Sequence, residues 1–216
     1  MIEDLSLENK FYMSVTPKRL SKIITRLDLY RKIQDLRGEI VECGVFKGIS
    51  LMQFIKIRSI IETNFTRKII GFDTFGEFPD AENEGDKVVL KKFILEAGKN
   101  SISKDEFITQ LKKLNLDANV ELIKGNILET AKNYVTQNPG LKISLLHIDV
   151  DLHDATKCAL EVFYPLVVKN GIIILDDYGA FPGANKAVQD FFSEKPVAIN
   201  QLKYSNAISY IQKDEY

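Results

Sequence analysis

Cysteine is scarce: Cys43 and Cys158 are the two in 216 residues, both in apolar contexts and without metal-type spacing. That excludes a disulfide framework and a zinc site as organising features, and makes a reducing cytoplasm the expected setting. No apolar run approaches the roughly 20 residues that span a bilayer, so no membrane helix is expected. The opening MIEDLSLENK is acidic and polar, unlike a secretory signal. An excess of one charge is missing too: 29 Lys and Arg stand against 30 Asp and Glu, a formal net charge of −1. Without a basic field a general nucleic-acid binder is not expected. What is present is globular: 45% hydrophobic and 27% charged residues, at a length that suits one domain with an arm.

Residues 1–37 read as a helical arm. Leu20, Ile23, Ile24, Leu27, Tyr30 and Ile33 recur at helical spacing, Ser14 or Thr16 is the cap, and Pro17 fits the first helical position. This apolar stripe offers a surface for a homo-oligomer. From residue 38 on, strands and helices alternate: EIVECGV, RKIIGFDTF, NVELIKG, KISLLHIDVD and GIIILDDYG read as strands, with helices between them. The nearly continuous apolar runs are those of strands buried on both faces, and the alternation predicts a doubly wound parallel α/β sheet over 38–216. Residues 76–118 read as an insert between the second and third strands, with an acidic loop as a lid and a helix capped by Ser103. The final PVAINQLKYSNAISYIQK carries two β-like runs, expected to form an antiparallel hairpin at a sheet edge.

Ligands of such sheets bind beyond the carboxyl ends of the strands. Those ends are rich in acids: Glu42, Asp73, Asp149 with Asp151, and Asp176 with Asp177, plus Asn126 after the third strand. The first turn, ECGVFKGIS, places Gly44 for a tight turn and Gly48 for close backbone approach at a helix start. It lacks both G-x-G-x-x-G and a Gly-Lys-Ser/Thr, which disfavours a pyrophosphate ligand there. Asp73 is placed to bond ribose hydroxyls or to hold a turn. The acids around 149–151 and 176–177 should be neighbours in space, where they repel one another. Oxygen ligands without thiolates suit Mg²⁺ or Ca²⁺, with Mn²⁺ as a further option. His147 reads as a core residue or a catalytic one, and His153 as a capping-region residue or a catalytic one.

These blocks carry a resemblance. Residues 40–50, Gly71-Phe72-Asp73-Thr74-Phe75, Ile148-Asp149-Val150-Asp151 with Ala155-Thr156, and Leu175-Asp176-Asp177-Tyr178-Gly179 with Pro182-Gly183 resemble the macrocin O-methyltransferase (TylF) family over roughly residues 38–193. The resemblance implies a class I methyltransferase, Rossmann-like fold of seven strands, the last antiparallel. It implies S-adenosylmethionine- and Mg²⁺-dependent O-methylation of a sugar. Family metal ligands map to Asp149, Asp176 and Asp177. Cofactor contacts map to the turn of Glu42, Gly44, Phe46, Gly48 and Ser50, to Asp73 and Asn126, and to Asp149. Asp151 is the candidate base, with His153 as its rival. The acceptor stays open among a macrolide or aminocoumarin sugar, a nucleotide sugar and a glycan residue. Two other readings compete: an NAD(P)-binding oxidoreductase, which the absent G-x-G-x-x-G opposes, and a non-catalytic adenosyl-binding domain, which has no need of gathered carboxylates.

Overall fold

A computed structural model describes residues 5–81, 84–205 and 207–214. Residues 82 and 83 of the expected acidic loop therefore lie outside the described residues. The arm is two helices, α1 (Leu5–Ser14) and α2 (Pro17–Arg31). The chain leaves helical geometry between them because a residue before proline favours extended backbone. Thr16 is extended and its side chain accepts from Arg19 N, which caps α2.

After the arm come β1 (Glu39–Cys43), α3 (Ile49–Ile61), β2 (Ile69–Asp73), α4 (Glu84–Ala97), α5 (Lys104–Lys113), β3 (Val120–Lys124) and α6 (Ile127–Gln137). Then follow β4 (Ile143–Ile148), α7 (His153–Phe163), β5 (Val167–Leu175), α8 (Pro182–Phe191) and β6 (Ser209–Gln212). The sheet order is β3-β2-β1-β4-β5-β6, with β6 antiparallel to β5 and the other pairs parallel. Chain direction across the sheet reverses between β1 and β4. A doubly wound sheet opens its ligand crevice at that point.

Alternation along the strands sorts the core into two layers. Val41, Cys43, Leu146, Ile148 and Ile173 pack with α6, α7 and α8. Ile40, Leu145, Ile172 and Ile174 pack with α2, α3 and α5. The same alternation places Glu42, His147 and Asp176 on the α2/α3 side, and Asp177 on the other.

Three features differ from the sequence reading. The stripe of α2 that faces the sheet holds Thr25, Arg26, Leu29 and Tyr30, with buried Ile33 in the turn after it, while Ile24 is 42% exposed. The buried face is rotated toward polar residues. The insert contains a full helix, α4, whose Leu90, Phe93 and Ile94 pack with Ala81 and Leu152. Among the described residues the sheet has six strands rather than seven. The first terminal β-run is reduced to one bridge between Asn200 and Tyr210. The Asn200 side chain bonds the Ala198 carbonyl at 3.0 Å, a local bond that competes with ladder pairing.

Gly44 sits where β1 and β4 part, with φ +91. A Cβ there would lie 1.8 Å from the Asp149 carbonyl oxygen. The glycine is thus required by the neighbouring strand end before any ligand is considered. Gly44→Ala should destabilise the fold by more than about 1 kcal/mol, since alanine is strained at positive φ. Urea denaturation checks this, and an unchanged midpoint would contradict it.

Candidate active site

At the switch point one carboxylate organises two turns. Val45 N and Phe46 N both donate to Asp73 Oδ2 at 2.9 Å, and Phe75 N donates to Oδ1 at 2.7 Å. Phe46 and Phe75 adopt left-handed backbone, with φ 47 and 46, so the turns are strained and Asp73 holds them. Asn126 caps α6, its Oδ1 accepting from Leu128 N at 3.0 Å. Gly44, Phe46, Ser50, Asp73, Asn126 and Asp149 line one cavity of about 820 Å³. That volume suits a nucleoside-sized ligand, with Phe46, Ile127 and Leu128 as apolar wall and Asp73 and Asn126 as polar groups. Two expected contacts do not reach the lining. Glu42 is fully buried behind it, accepting from Ser50 Oγ at 2.7 Å. Gly48 backs onto the Phe107 ring, which a Cβ would meet at 2.5 Å.

The same cavity ends in acids. Asp176 and Asp177 follow β5 consecutively, so their side chains part to opposite faces. Asp176 turns toward α2, where Lys22 Nζ lies 2.5 Å from Oδ2 and Arg26 Nη2 lies 3.0 Å from Oδ1. Fully buried His147 stands beside it, Nε2 at 3.7 Å from Asp176 Oδ1 and Nδ1 at 3.2 Å from Glu42 Oε2. Burial opposes the imidazolium, but the flanking Asp176 and Glu42 carboxylates outweigh it and raise His147 to about 9. Burial would raise Asp176 too, yet His147, Arg26 and Lys22 hold its carboxyl well below the usual range.

Asp177 turns the other way and accepts from Asp151 N at 2.8 Å. Oxygens of Asp149, Asp151 and Asp177 all lie within 4.8 Å of one another. Burial, then Asp176 and Asp177, push the Asp149 carboxyl well up. Burial and the Asp151 charge do the same to Asp177, and burial with Asp149 raises Asp151 to about 7. Asp151 is itself left-handed, φ 59. An all-oxygen, mutually repelling trio fits a hard divalent cation. A second group, His147, Asp149 and Asp176, also has its ligand atoms within 4.8 Å, so Asp149 belongs to both; of the sequence-based set of Asp149, Asp176 and Asp177, Asp176 faces the α2 cations and Asp177 lies in the trio.

His153 opens α7 and lines the cavity wall, with Nδ1 bonded to its neighbour and Nε2 buried without a hydrogen-bond partner. Nδ1 lies 2.7 Å from Asp154 Oδ1, and buried Nε2 faces Asp190 of α8 at 4.0 Å. Sequence reasoning passed over Asp86, which is 1% exposed. It comes from the insert and joins two helix starts, accepting from His153 N at 3.0 Å and from Gly183 N at 2.9 Å. A carboxylate shared by two helix N-termini is favoured by both dipoles. It fixes α4 over the cavity, where Phe93 meets Phe46, Phe78 and Phe181 at centroid distances of 5.4, 5.7 and 6.3 Å. The apolar spacing of Leu90, Phe93, Ile94 and Ala97 was the available signal for this helix. Lys22 and Arg26 lay outside the expected stripe, and nothing local marks them.

The family model for Macrocin-O-methyltransferase (TylF) matches residues 11–212. Demethyldecarbamoylnovobiocin O-methyltransferase of Streptomyces niveus is 26% identical over 171 residues, 74% of this chain. The chain spans 60% of that relative's length. Among solved structures, the calicheamicin methyltransferase CalS11 superposes with a TM-score of 0.81 at 27% identity, over 98% of this chain and 86% of that one. The O-methyltransferase NovP shares the fold, with a TM-score of 0.74 at 23% identity over 89% of this chain and 81% of its own.

Asp86→Ala should cost about 1.5–3 kcal/mol, the range for hydrogen bonds to a charged group. It should raise amide exchange in 84–97 selectively, as hydrogen-exchange mass spectrometry would read. Metal-free protein should also lose stability as pH rises. Asp151 binds its proton more tightly folded than unfolded, so its contribution declines from 3.8 toward about 7. His147 adds a second decline between 6.5 and about 9. Denaturation in EDTA at pH 5, 7 and 9 should give falling midpoints.

Proposed function

Because the chain belongs to the macrocin-O-methyltransferase (TylF) family, we propose that it transfers a methyl group from S-adenosylmethionine to a hydroxyl of a sugar-like, small-molecule acceptor. One observation carries the reading. A single cavity joins a nucleoside-sized end at the β1 turn, Asp73 and Asn126 to an acid-lined end at Asp149, Asp151 and Asp177. The named activities of the Streptomyces niveus relative and of CalS11, whose apo structure is described as that of a TDP-rhamnose 3'-O-methyltransferase, support it.

When bound, S-adenosylmethionine supplies an activated methyl on a sulfonium, and a divalent cation supplies a Lewis acid that favours the deprotonated acceptor hydroxyl. The chain's own part is alignment, proton removal and exclusion of water. The β1 turn, pinned by Asp73, and Asn126 at the start of α6 orient the adenosyl portion. Asp149 and Asp177 would hold Mg²⁺, with Mn²⁺ or Ca²⁺ as alternatives of the same oxygen chemistry, and Asp151 stands beside them. Asp176 joins that set only where Lys22 and Arg26 release it. Asp151 is the proposed proton acceptor, since its carboxylate lies beside Asp149 and Asp177 on the acid-lined end of the cavity. His153 is the rival base, its Nδ1 held by Asp154. The α4 helix with Phe93 keeps water from the reacting centre.

The same proposal places the reaction in the cytoplasm, in keeping with the two buried free thiols. No helix among the described residues is long and apolar enough to cross a membrane. A homo-oligomer through the N-terminal helices belongs to it as well, and α1 leaves Leu7, Phe11, Tyr12 and Met13 exposed.

The test combines labelled methyl transfer to a panel of glycosides with melting curves. Wild type should lose activity in EDTA and melt higher on addition of Mg²⁺. Asp177→Asn should keep S-adenosylmethionine binding, lose at least 100-fold in rate, the scale of one general acid–base or electrostatic group, and lose the Mg²⁺ melting shift. Full activity in excess EDTA would overturn the metal's part. Failure to bind S-adenosylmethionine would overturn the whole reading.

A further inference from the structure

The outer end of the cavity carries charge that methyl transfer to a neutral glycoside leaves unused. Lys18, Arg19, Lys22 and Arg26 all line it. Lys18, Lys22 and Arg26 follow one another by four residues and Arg19 precedes Lys22 by three, which puts them on one side of α2. The inner two are committed, since Lys22 and Arg26 neutralise Asp176. Lys18 and Arg19 are exposed, and among the described residues no carboxylate pairs with either.

Their position is costly as well as unpaired. Both stand in the first turn of α2, where the helix dipole favours acids and opposes cations, and that turn holds no acid. Two cations kept against a dipole, on the wall of a deep cavity, are matched by an anion from solution. Distance sets where that anion sits. Lys18 is one helical turn, ~5.4 Å, from Lys22, and Lys22 already touches the acid next to the Asp149, Asp151 and Asp177 trio. A hydroxyl at the trio and an anion at Lys18 and Arg19 are thus separated by a span on the scale of one sugar ring.

We propose that the acceptor is a sugar bearing a phosphate or diphosphate, its reacting hydroxyl at the acid trio and its phosphate at Lys18 and Arg19. This rests on the methyl-transfer reading and names the substrate class for it. Arginine's planar fork suits two phosphate oxygens at once, and lysine adds a point charge beside it. Asp176 does not compete, because Lys22 and Arg26 already satisfy it. The chemistry has two sources, a nucleoside diphosphate sugar and a simple sugar phosphate.

Calorimetry on the full chain, saturated with S-adenosylhomocysteine and free of divalent metal, separates the possibilities. The probes are uridine diphosphate, inorganic pyrophosphate, glucose 1-phosphate and methyl glucoside. Wild type should bind the phosphorylated probes, more weakly as salt rises, and leave methyl glucoside unbound. Lys18→Gln combined with Arg19→Gln should weaken the phosphorylated probes at least tenfold while S-adenosylhomocysteine affinity stays as in wild type. Tighter binding of uridine diphosphate than of pyrophosphate assigns the nucleotide-linked sugar, and equal binding assigns the sugar phosphate. Phosphorylated probes that bind wild type and the double variant alike, or that fail to bind wild type loaded with S-adenosylhomocysteine, overturn the inference while the methyl-transfer reading stands. Failure of S-adenosylhomocysteine itself to bind overturns that reading.

Discussion

The crowding of carboxylates at the ends of β4 and β5 is the constraint from which the rest of this site follows. Asp149, Asp151, Asp176 and Asp177 are brought together by adjacent parallel strands, and like charges at such range cannot all ionise in a buried setting. The backbone resolves half of the conflict. Consecutive residues at a strand end face opposite sides, so at the end of the cavity Asp176 turns to the α2/α3 layer and Asp177 to the other. On its side Asp176 meets Lys22, Arg26 and His147, and stays ionised. On the other side the trio of Asp149, Asp151 and Asp177 has no cation of its own and is driven toward protonation. One sheet edge therefore holds a satisfied structural acid and an unsatisfied, ligand-seeking group, divided by a single peptide unit.

The turn after β1 depends on the same sheet edge. Gly44 N donates to the Phe72 carbonyl, Asp149 N donates to the Cys43 carbonyl, and Asp73 gathers the amides of Val45, Phe46 and Phe75. The three strand ends β1, β2 and β4 are thereby fixed relative to one another. Asp86 extends this order to the insert, since its carboxylate is held by the first turns of α7 and α8. The insert is not independent of the sheet: its helix is docked through the helices that begin at the acid-bearing loops. A change at Asp149 or Asp151 has a short route to α4, through Leu152, which packs with Leu90, and His153.

Much of this is legible in the sequence, for identifiable reasons. Runs such as ISLLHI and GIIIL have no polar face, so parallel strands buried on both sides are the reading physics allows. The strand ends and their acids follow from where those runs stop, and Ser103 and Thr16 cap where they should. The misreadings share one cause, that the partner lies far away in sequence. Lys22 and Arg26 meet Asp176 across 154 and 150 residues, and no local pattern distinguishes them from solvated lysines and arginines. A stripe chosen for hydrophobicity alone therefore selects Ile24, which is exposed, over Arg26, which is buried. The acidic flank of the insert likewise masks the apolar spacing inside α4. Asp176 and Asp177 look equivalent as letters, and strand parity, more than composition, tells them apart.

The arm thus has a role that its sequence understates. A buried acid with one partner removed costs about 3–5 kcal/mol, because the remaining charge has nowhere to go. Arg26 is 5% exposed and Lys22 20%, so the pair is screened unequally, and Arg26 ranks above Lys22, beside His147, in keeping Asp176 ionised. That neutralisation also acts on the trio. An Asp176 left without α2 would take up a proton or repel Asp149, the acid shared by both groupings. The helix that closes the acceptor end of the cavity is therefore the same helix that sets the charge state beneath it. Its inner turn holds the acid layer in place, and its first turn meets whatever enters from outside. A single α-helix, by presenting four cations in one row, couples the electrostatics of the buried sheet edge to those of the cavity mouth.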